Sequence, residues 1–196
     1  MNQPLTHHAR HASRSLRASW RHLLPALLVA VSVSACSSTP NDLGRVRANV
    51  AADHPGLRQI APADVEAAMR RDRPPLLLDV RTPAEFAVSH LRGARLVEPG
   101  APAEALRSRE LAGVSLDAPI VCYCAVGVRS SNTCEALQKA GYTNVANLDG
   151  SIFRWANEGR PLVQGETPTT FVHPYNAEWG RMLAPAHRAD VPPIEE

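Results

Sequence analysis

"VCYCAVGVRSSN", residues 121–132, puts a cysteine where an apolar run ends, then a glycine, an arginine and two hydroxyls. The run ahead of it, "PIVCY", reads as a strand buried on both faces of a sheet. The segment after it, "SNTCEALQKAGY", reads as a helix closed by Gly141. In open α/β sheets, ligands bind beyond the carboxyl ends of strands, where loops enter helices. Cys124 falls at such a point. Successive backbone N–H groups entering a helix form an anion-binding concavity, and the helix N-terminus adds partial positive charge. Gly127 lets the loop curl, and Arg129 adds a fixed charge. Each feature lowers the pKa of a nearby thiol, so the stretch describes a cradle around a thiolate nucleophile.

The flanking sequence alternates in the same way. "APADVEAAMRRD" predicts a helix starting at Ala61 or Asp64, with Val65, Ala68 and Met69 at helical spacing. "PPLLLDV" predicts a buried strand. "TPAEFAVSHL" predicts a helix capped by Thr82, with Pro83 in its first turn and Glu85 three residues after the cap. "ARLVE" is a short candidate strand, and "PAEALRSREL" a helix with a weak apolar stripe. "NVANLDG" is the last strand and "SIFRWANEG" the last helix, ending at Gly159. Strands alternating with helices predict a parallel sheet covered on both faces.

Three other readings of the cysteine loop compete. Cys124 can be a buried apolar residue, as many free cysteines are. A Walker-type phosphate loop is excluded, because the lysine that should follow its second glycine is absent. A tyrosine-phosphatase loop has five residues between cysteine and arginine. Here only Ala125, Val126, Gly127 and Val128 intervene, one too few.

The segment from Cys124 to Ser130 resembles the active-site loop of the rhodanese family, sulfurtransferases that carry sulfur as a cysteine persulfide. Upstream, "LLLDVRTPAEFAVSHLRGA" is similar to the family's other signature, and "NLDGSIFRW" to its closing strand and helix. The resemblance covers residues 58–162 and implies an α/β fold, a five-stranded parallel sheet flanked by helices on both faces. It also implies that Cys124 and Arg129 are the catalytic pair. Ala125, Val126, Gly127, Val128 and Ser130 are then the substrate-binding loop, with Asp79 and Arg81 supporting it. Glu85 pairs with Arg81 or caps its helix, and His90 matches a family position without an assigned proton-transfer role. No metal or organic cofactor is implied. Ser89 stands where the family usually has glycine, and Ser151 where a second glycine often follows "DG". The loop also lacks the Arg or Lys that relatives active on thiosulfate often carry, so attraction for a doubly charged donor is reduced.

Cys122 lies two residues before Cys124, on the same side of the strand, and reads as core rather than as a resolving thiol. Cys134, with Leu137 and Val128 at helical spacing, also reads as core. Beyond Pro161, residues 163–196 form a tail. Its Phe171, Val172, Tyr175, Trp179 and Met182 predict partial docking, and the final "ADVPPIEE" reads as solvated. His173 and Trp179 read as packing residues more than as a cover for the sulfur site.

The amino-terminal 35 residues have a different character. Arg10, Arg14, Arg17 and Arg21 precede "LLPALLVAVSVSA", and "VSAC" ends at Cys36, resembling a bacterial lipobox. The apolar run falls short of the ~20 residues of a membrane span. This predicts a lipoprotein signal over residues 1–35, lipidation of Cys36, and a polar linker through residue 57, with an ordinary signal peptide or a single-span anchor as the alternative. Cleavage removes four arginines and turns the formal charge from +2 to −2, so no nucleic-acid footprint is expected. Ser37 after Cys36 predicts sorting to the outer membrane of a double-membraned cell envelope. Three cysteines remain, too few for a disulfide framework, and the histidines show no metal-ligand spacing. The expected partners are a small sulfur donor, a thiol or cyanide acceptor, and a membrane reached through lipid. A catalytically weak binding module and, less so, a cysteine-loop phosphatase or arsenate reductase are the alternatives.

Overall fold

A computed structural model describes residues 43–194. The signal segment, Cys36 and Ser37 lie outside the described residues.

The strands are β1 (Arg58–Ile60), β2 (Leu76–Asp79), β3 (Arg95–Leu96), β4 (Ile120–Tyr123) and β5 (Val145–Leu148), in one parallel sheet ordered β1-β5-β4-β2-β3. The expected α/β architecture is therefore the observed one. β4 is central and all four of its residues are buried, which is why "PIVCY" is apolar without alternation. Successive side chains still point to opposite faces. Leu77, Val121 and Tyr123 pack on one face with Val65 of α2 (Pro62–Met69) and with Ile152, Phe153 and Trp155 of α6 (Ser151–Asn157). Leu78, Ile120 and Cys122 pack on the other with Leu106 of α4 (Ala103–Ser108) and with Cys134 and Leu137 of α5 (Val128–Lys139). α3 (Pro83–Val88) starts with a capping box: the Glu85 amide donates to Thr82 Oγ1 and the Thr82 amide to Glu85 Oε2.

Several segments differ from the sequence expectation. Within the stretch read as a linker, Leu43–Asp53 is a helix, α1. Its apolar face is thin, and tertiary contacts fix it: Arg47 donates to both carboxylate oxygens of Asp149, at 2.6 and 2.5 Å, and His54 pairs with Glu135 at 2.7 Å. α5 begins at Val128 rather than near Ser130, because Gly127 already turns the chain at φ +111°. That start leaves Val128 43% exposed, so it is not core.

The C-terminal segment carries structure of its own. β6 (Leu162–Gln164) and β7 (Thr167–Thr169) form an antiparallel hairpin, followed by α7 (Ala177–Gly180). Val172 and Leu183 are buried in the same core as Trp155. Burial of each such side chain contributes about 1.5–3 kcal/mol, enough to hold a short segment in place. The Val172 amide donates to His187 O, and the Ala189 amide to Val172 O. The end is not wholly solvated either, since the Ile194 amide donates to Tyr175 O at 2.7 Å.

Candidate active site

Cys124 follows β4 directly and is 1% exposed. Its sulfur accepts a hydrogen bond from the Gly127 amide at 3.2 Å and lies 3.5 Å from the Ser130 hydroxyl. Burial pushes the thiol pKa up. The charge of Arg129, the hydroxyl and amide of Ser130, and the Gly127 amide together outweigh it, and the thiol falls below its ordinary value. The first N–H groups of α5 have no acceptor within the helix, so they add to this field. Cys134 is the contrast. Burial and the neighbouring Cys122 push it well above the ordinary value, and its thiol donates to Ala146 O at 3.4 Å. Cys122, Cys124 and Cys134 are all free and buried, but only one of the two shifted thiols moves toward thiolate.

The loop is fixed from below. Gly127 has φ +111°, and a Cβ there would sit 3.2 Å from Asn147 Nδ2, which closes the position to other residues. Asn147 is fully buried in β5, and the two N–H groups of its amide are shared among Gly127 O (3.2 Å), Ser131 Oγ (3.0 Å) and Gln59 Oε1 (2.9 Å). Its Oδ1 accepts from the Ser130 hydroxyl at 2.6 Å. That hydroxyl has one proton, so its bond to the Cys124 sulfur competes with a shorter one. Ser151 adopts φ +50°, accepts from the Cys124 amide at 3.1 Å and donates to Leu148 O at 3.3 Å. The α6 N-terminus completes the support: the amides of Ile152 and Phe153 donate to Cys124 O and Ala125 O. Neither Asn147 nor Ser151 was expected to have this role. An amide inside the apolar run "VANL" was the available signal for the first.

Arg129 reaches the site from α5 already engaged. Its guanidinium makes a two-pronged pair with Glu85, at 2.8 and 3.0 Å, and lies 5.1 Å from the centre of the Tyr175 ring. Of the two roles expected for Glu85, the helix cap is observed and the pair with Arg81 is corrected. Glu85 caps its helix and pairs with Arg129, because Arg81 is already taken. Arg81 donates from Nε and Nη2 to Asp79, at 2.9 and 2.7 Å, and from Nη2 to Ser89 O at 2.6 Å. Both members of that pair are fully buried. They hold the end of β2 against Tyr123, whose hydroxyl accepts from the Leu91 amide. His90 stacks on Phe86 and bonds Phe86 O at 3.2 Å, and its amide donates to Val163 O. None of these bonds reaches the cysteine loop.

A cavity of about 140 Å³ opens on Cys124, lined by Ala125, Val126, Val128, Arg129, Tyr175 and Trp179 as well. The last two come from the C-terminal segment. His173, read as packing, is buried and accepts the Tyr175 amide at Nδ1, 2.9 Å away. Burial lowers its pKa, which keeps the ring neutral near pH 7. Among the described residues no cluster of side chains is arranged to hold a metal ion.

The fold and loop define a parallel α/β domain with a cysteine-centred anion loop. The family model for the rhodanese-like domain matches residues 61–158, half of the chain, and the chain belongs to that family. A sulfurtransferase of Allochromatium vinosum is 37% identical over 91 residues, covering 46% of this chain and 80% of that protein. The thiosulfate sulfurtransferase GlpE of Pseudomonas aeruginosa is 31% identical over 98 residues, covering 50% and 83%. A probable adenylyltransferase/sulfurtransferase, MoeZ, of Mycobacterium tuberculosis is 35% identical over 103 residues, 52% of this chain, which spans only 25% of that longer protein. Among solved structures, a thiosulfate sulfurtransferase from Pseudomonas aeruginosa superimposes with a TM-score of 0.52 at 25% identity, over 65% of this chain and 24% of that one.

Proposed function

We propose that the chain is a lipid-anchored sulfurtransferase that carries sulfur as a persulfide on Cys124. The observation that carries this reading is a buried thiol with a lowered pKa, set in a loop of amides beside Arg129 on a rhodanese-like fold. The thiolate attacks the outer sulfur of a donor. The donor's S–S bond breaks, its leaving group takes the electron pair, and Cys124–S–S⁻ remains. The Gly127 amide, the first amides of α5 and Arg129 stabilise that anion. A thiolate or cyanide then attacks the outer sulfur and restores the Cys124 thiolate, a two-step exchange that requires no proton relay. Asp79 and Arg81 act at a distance, by holding the strand end.

Lowering of the Cys124 pKa predicts a pH profile that keeps its rate to lower pH than an ordinary thiol allows. The Glu85→Gln/Arg129→Gln pair removes the Arg129 charge without leaving either group buried as a lone ion. Its acid limb should move to higher pH, because loss of a nearby cation disfavours the thiolate. An unmoved limb would show that Arg129 does not tune the sulfur.

The anchor rests on the leader and on Cys36. Cells expressing Cys36→Ser should lose membrane-bound protein relative to wild type, and equal membrane association in both would remove the anchor from the account. The low exposure of Cys124 and the engagement of Arg129 by Glu85 favour one second reading, a binding module with little turnover. Donor treatment followed by cyanide separates the two. A sulfurtransferase releases one thiocyanate per Cys124 in every cycle, and a folded, reduced protein that releases none is a binding module.

A further inference from the structure

The walls of the cavity, more than its floor, say which donor enters. Of the six residues that line it with Cys124, Ala125, Val126 and Val128 are aliphatic or small, Tyr175 and Trp179 are aromatic, and only Arg129 is charged. That charge faces Glu85, whose side chain is fully buried and bonded to both guanidinium arms. The Asp79–Arg81 pair below is internally neutral, and His173 is held uncharged. With Cys124 as thiolate, the chamber is a net monoanion. A dianionic donor reaching the buried Cys124 sulfur must shed part of its hydration without meeting an uncommitted cation among the lining residues, which is costly.

The size of the cavity points the same way. Its volume of about 140 Å³ is close to that of an apolar cavity that accepts benzene, roughly 150 Å³. Trp179 supplies an aromatic wall, and Tyr175, with the Arg129 guanidinium 5.1 Å from its ring centre, supplies another. Tyr175 is held by its amide on His173 and its carbonyl under Ile194, and Trp179 by α7, whose N-cap Asn176 accepts the Trp179 amide. Both aromatic residues lie outside residues 61–158, so the wall is an addition of this chain to the family domain.

We propose that Cys124 takes its sulfur from an organic donor bearing a flat apolar group, of the aryl thiosulfonate or organic persulfide class, in preference to inorganic thiosulfate. The inference rests on the sulfurtransferase reading. For a thiosulfonate R–SO₂–S⁻, the Cys124 thiolate bonds to the terminal sulfur and the bond between the two sulfurs breaks. The sulfinate R–SO₂⁻ leaves with the electron pair, and R rests against the apolar and aromatic lining until release.

The test measures kcat/KM for sulfur transfer to cyanide by the purified full chain from benzenethiosulfonate, methanethiosulfonate and thiosulfate. Each value is divided by the rate of the same donor with a small free thiol, which removes intrinsic reactivity. Benzenethiosulfonate should exceed methanethiosulfonate by about tenfold, the worth of burying one ring-sized apolar group, and thiosulfate should be lowest. In Trp179→Ala the ratio of the two thiosulfonates should fall toward one. Normalised thiosulfate values equal to or above those of benzenethiosulfonate would overturn the inference and leave the sulfurtransferase reading standing. So would a ratio unchanged in a folded Trp179→Ala protein. Failure of all three donors to load Cys124 would instead strike the sulfurtransferase reading itself.

Discussion

A Cys124→Ser protein is expected to fold normally and to lose sulfur transfer by more than about 10³-fold. Serine is close in size, and Gly127, Ser130 and the α6 amides still meet a hydrogen-bonding atom or the same backbone carbonyls. What is lost is the nucleophile. An alcohol remains un-ionised at neutral pH even in a cradle that lowers a thiol, and oxygen does not form the persulfide bond. Cys122 and Cys134 should not compensate. Both are buried, and Cys134 is pushed away from thiolate by burial and by Cys122. Thiocyanate formation with any effective donor measures the loss. Residual activity within tenfold of wild type would place the reactive sulfur elsewhere.

The second large effect is on stability. Asp79→Ala should cost about 3–5 kcal/mol, because it leaves the Arg81 guanidinium charged and without its partner in a fully buried site. Arg81 Nη1 already lacks a bond in the intact protein, so few groups nearby are positioned to take over from Asp79. The double replacement Asp79→Leu/Arg81→Met removes both charges and should cost less than the single change. Urea unfolding followed by tryptophan fluorescence reads both, through shifts in midpoint at constant slope. A single variant within about 1 kcal/mol of wild type would mean that Arg81 finds solvent or another anion, and that the pair does not hold the strand end.

The legible parts of the sequence were those whose surroundings are uniform. β2, β4 and β5 are almost wholly buried, so their runs are mainly apolar, broken only by Asp79 and Asn147, and the loop after β4 carries its own chemistry in consecutive residues. β1 escaped because an edge strand of three residues, Arg58–Ile60, has neither length nor an apolar run. α1 escaped because its order comes from Arg47 on Asp149, a contact across 102 residues that no local period encodes. The same holds at the site. Cys124, Gly127 and Ser130 are neighbours in sequence and could be read together. Glu85 meets Arg129 across 44 residues, and only the fold decides that Arg81 prefers Asp79. Asn147 was hidden as a single polar residue in a strand, although a buried amide in an apolar run has to be bonded, and here it is bonded to the loop. Tyr175 and Trp179 read as part of a docked tail, and their meeting with Cys124 depends on how residues 172–194 fold back.

Sulfur loading on Cys124 is read from the intact mass of the reduced protein, wild type and Cys124→Ser, before and after an organic thiosulfonate donor, with peptide mapping of the product. The expected result is one added sulfur atom on the wild type alone, located on the peptide carrying Cys124 and removed by cyanide as thiocyanate. No added sulfur on folded, reduced wild type, or the same addition on Cys124→Ser, would contradict it.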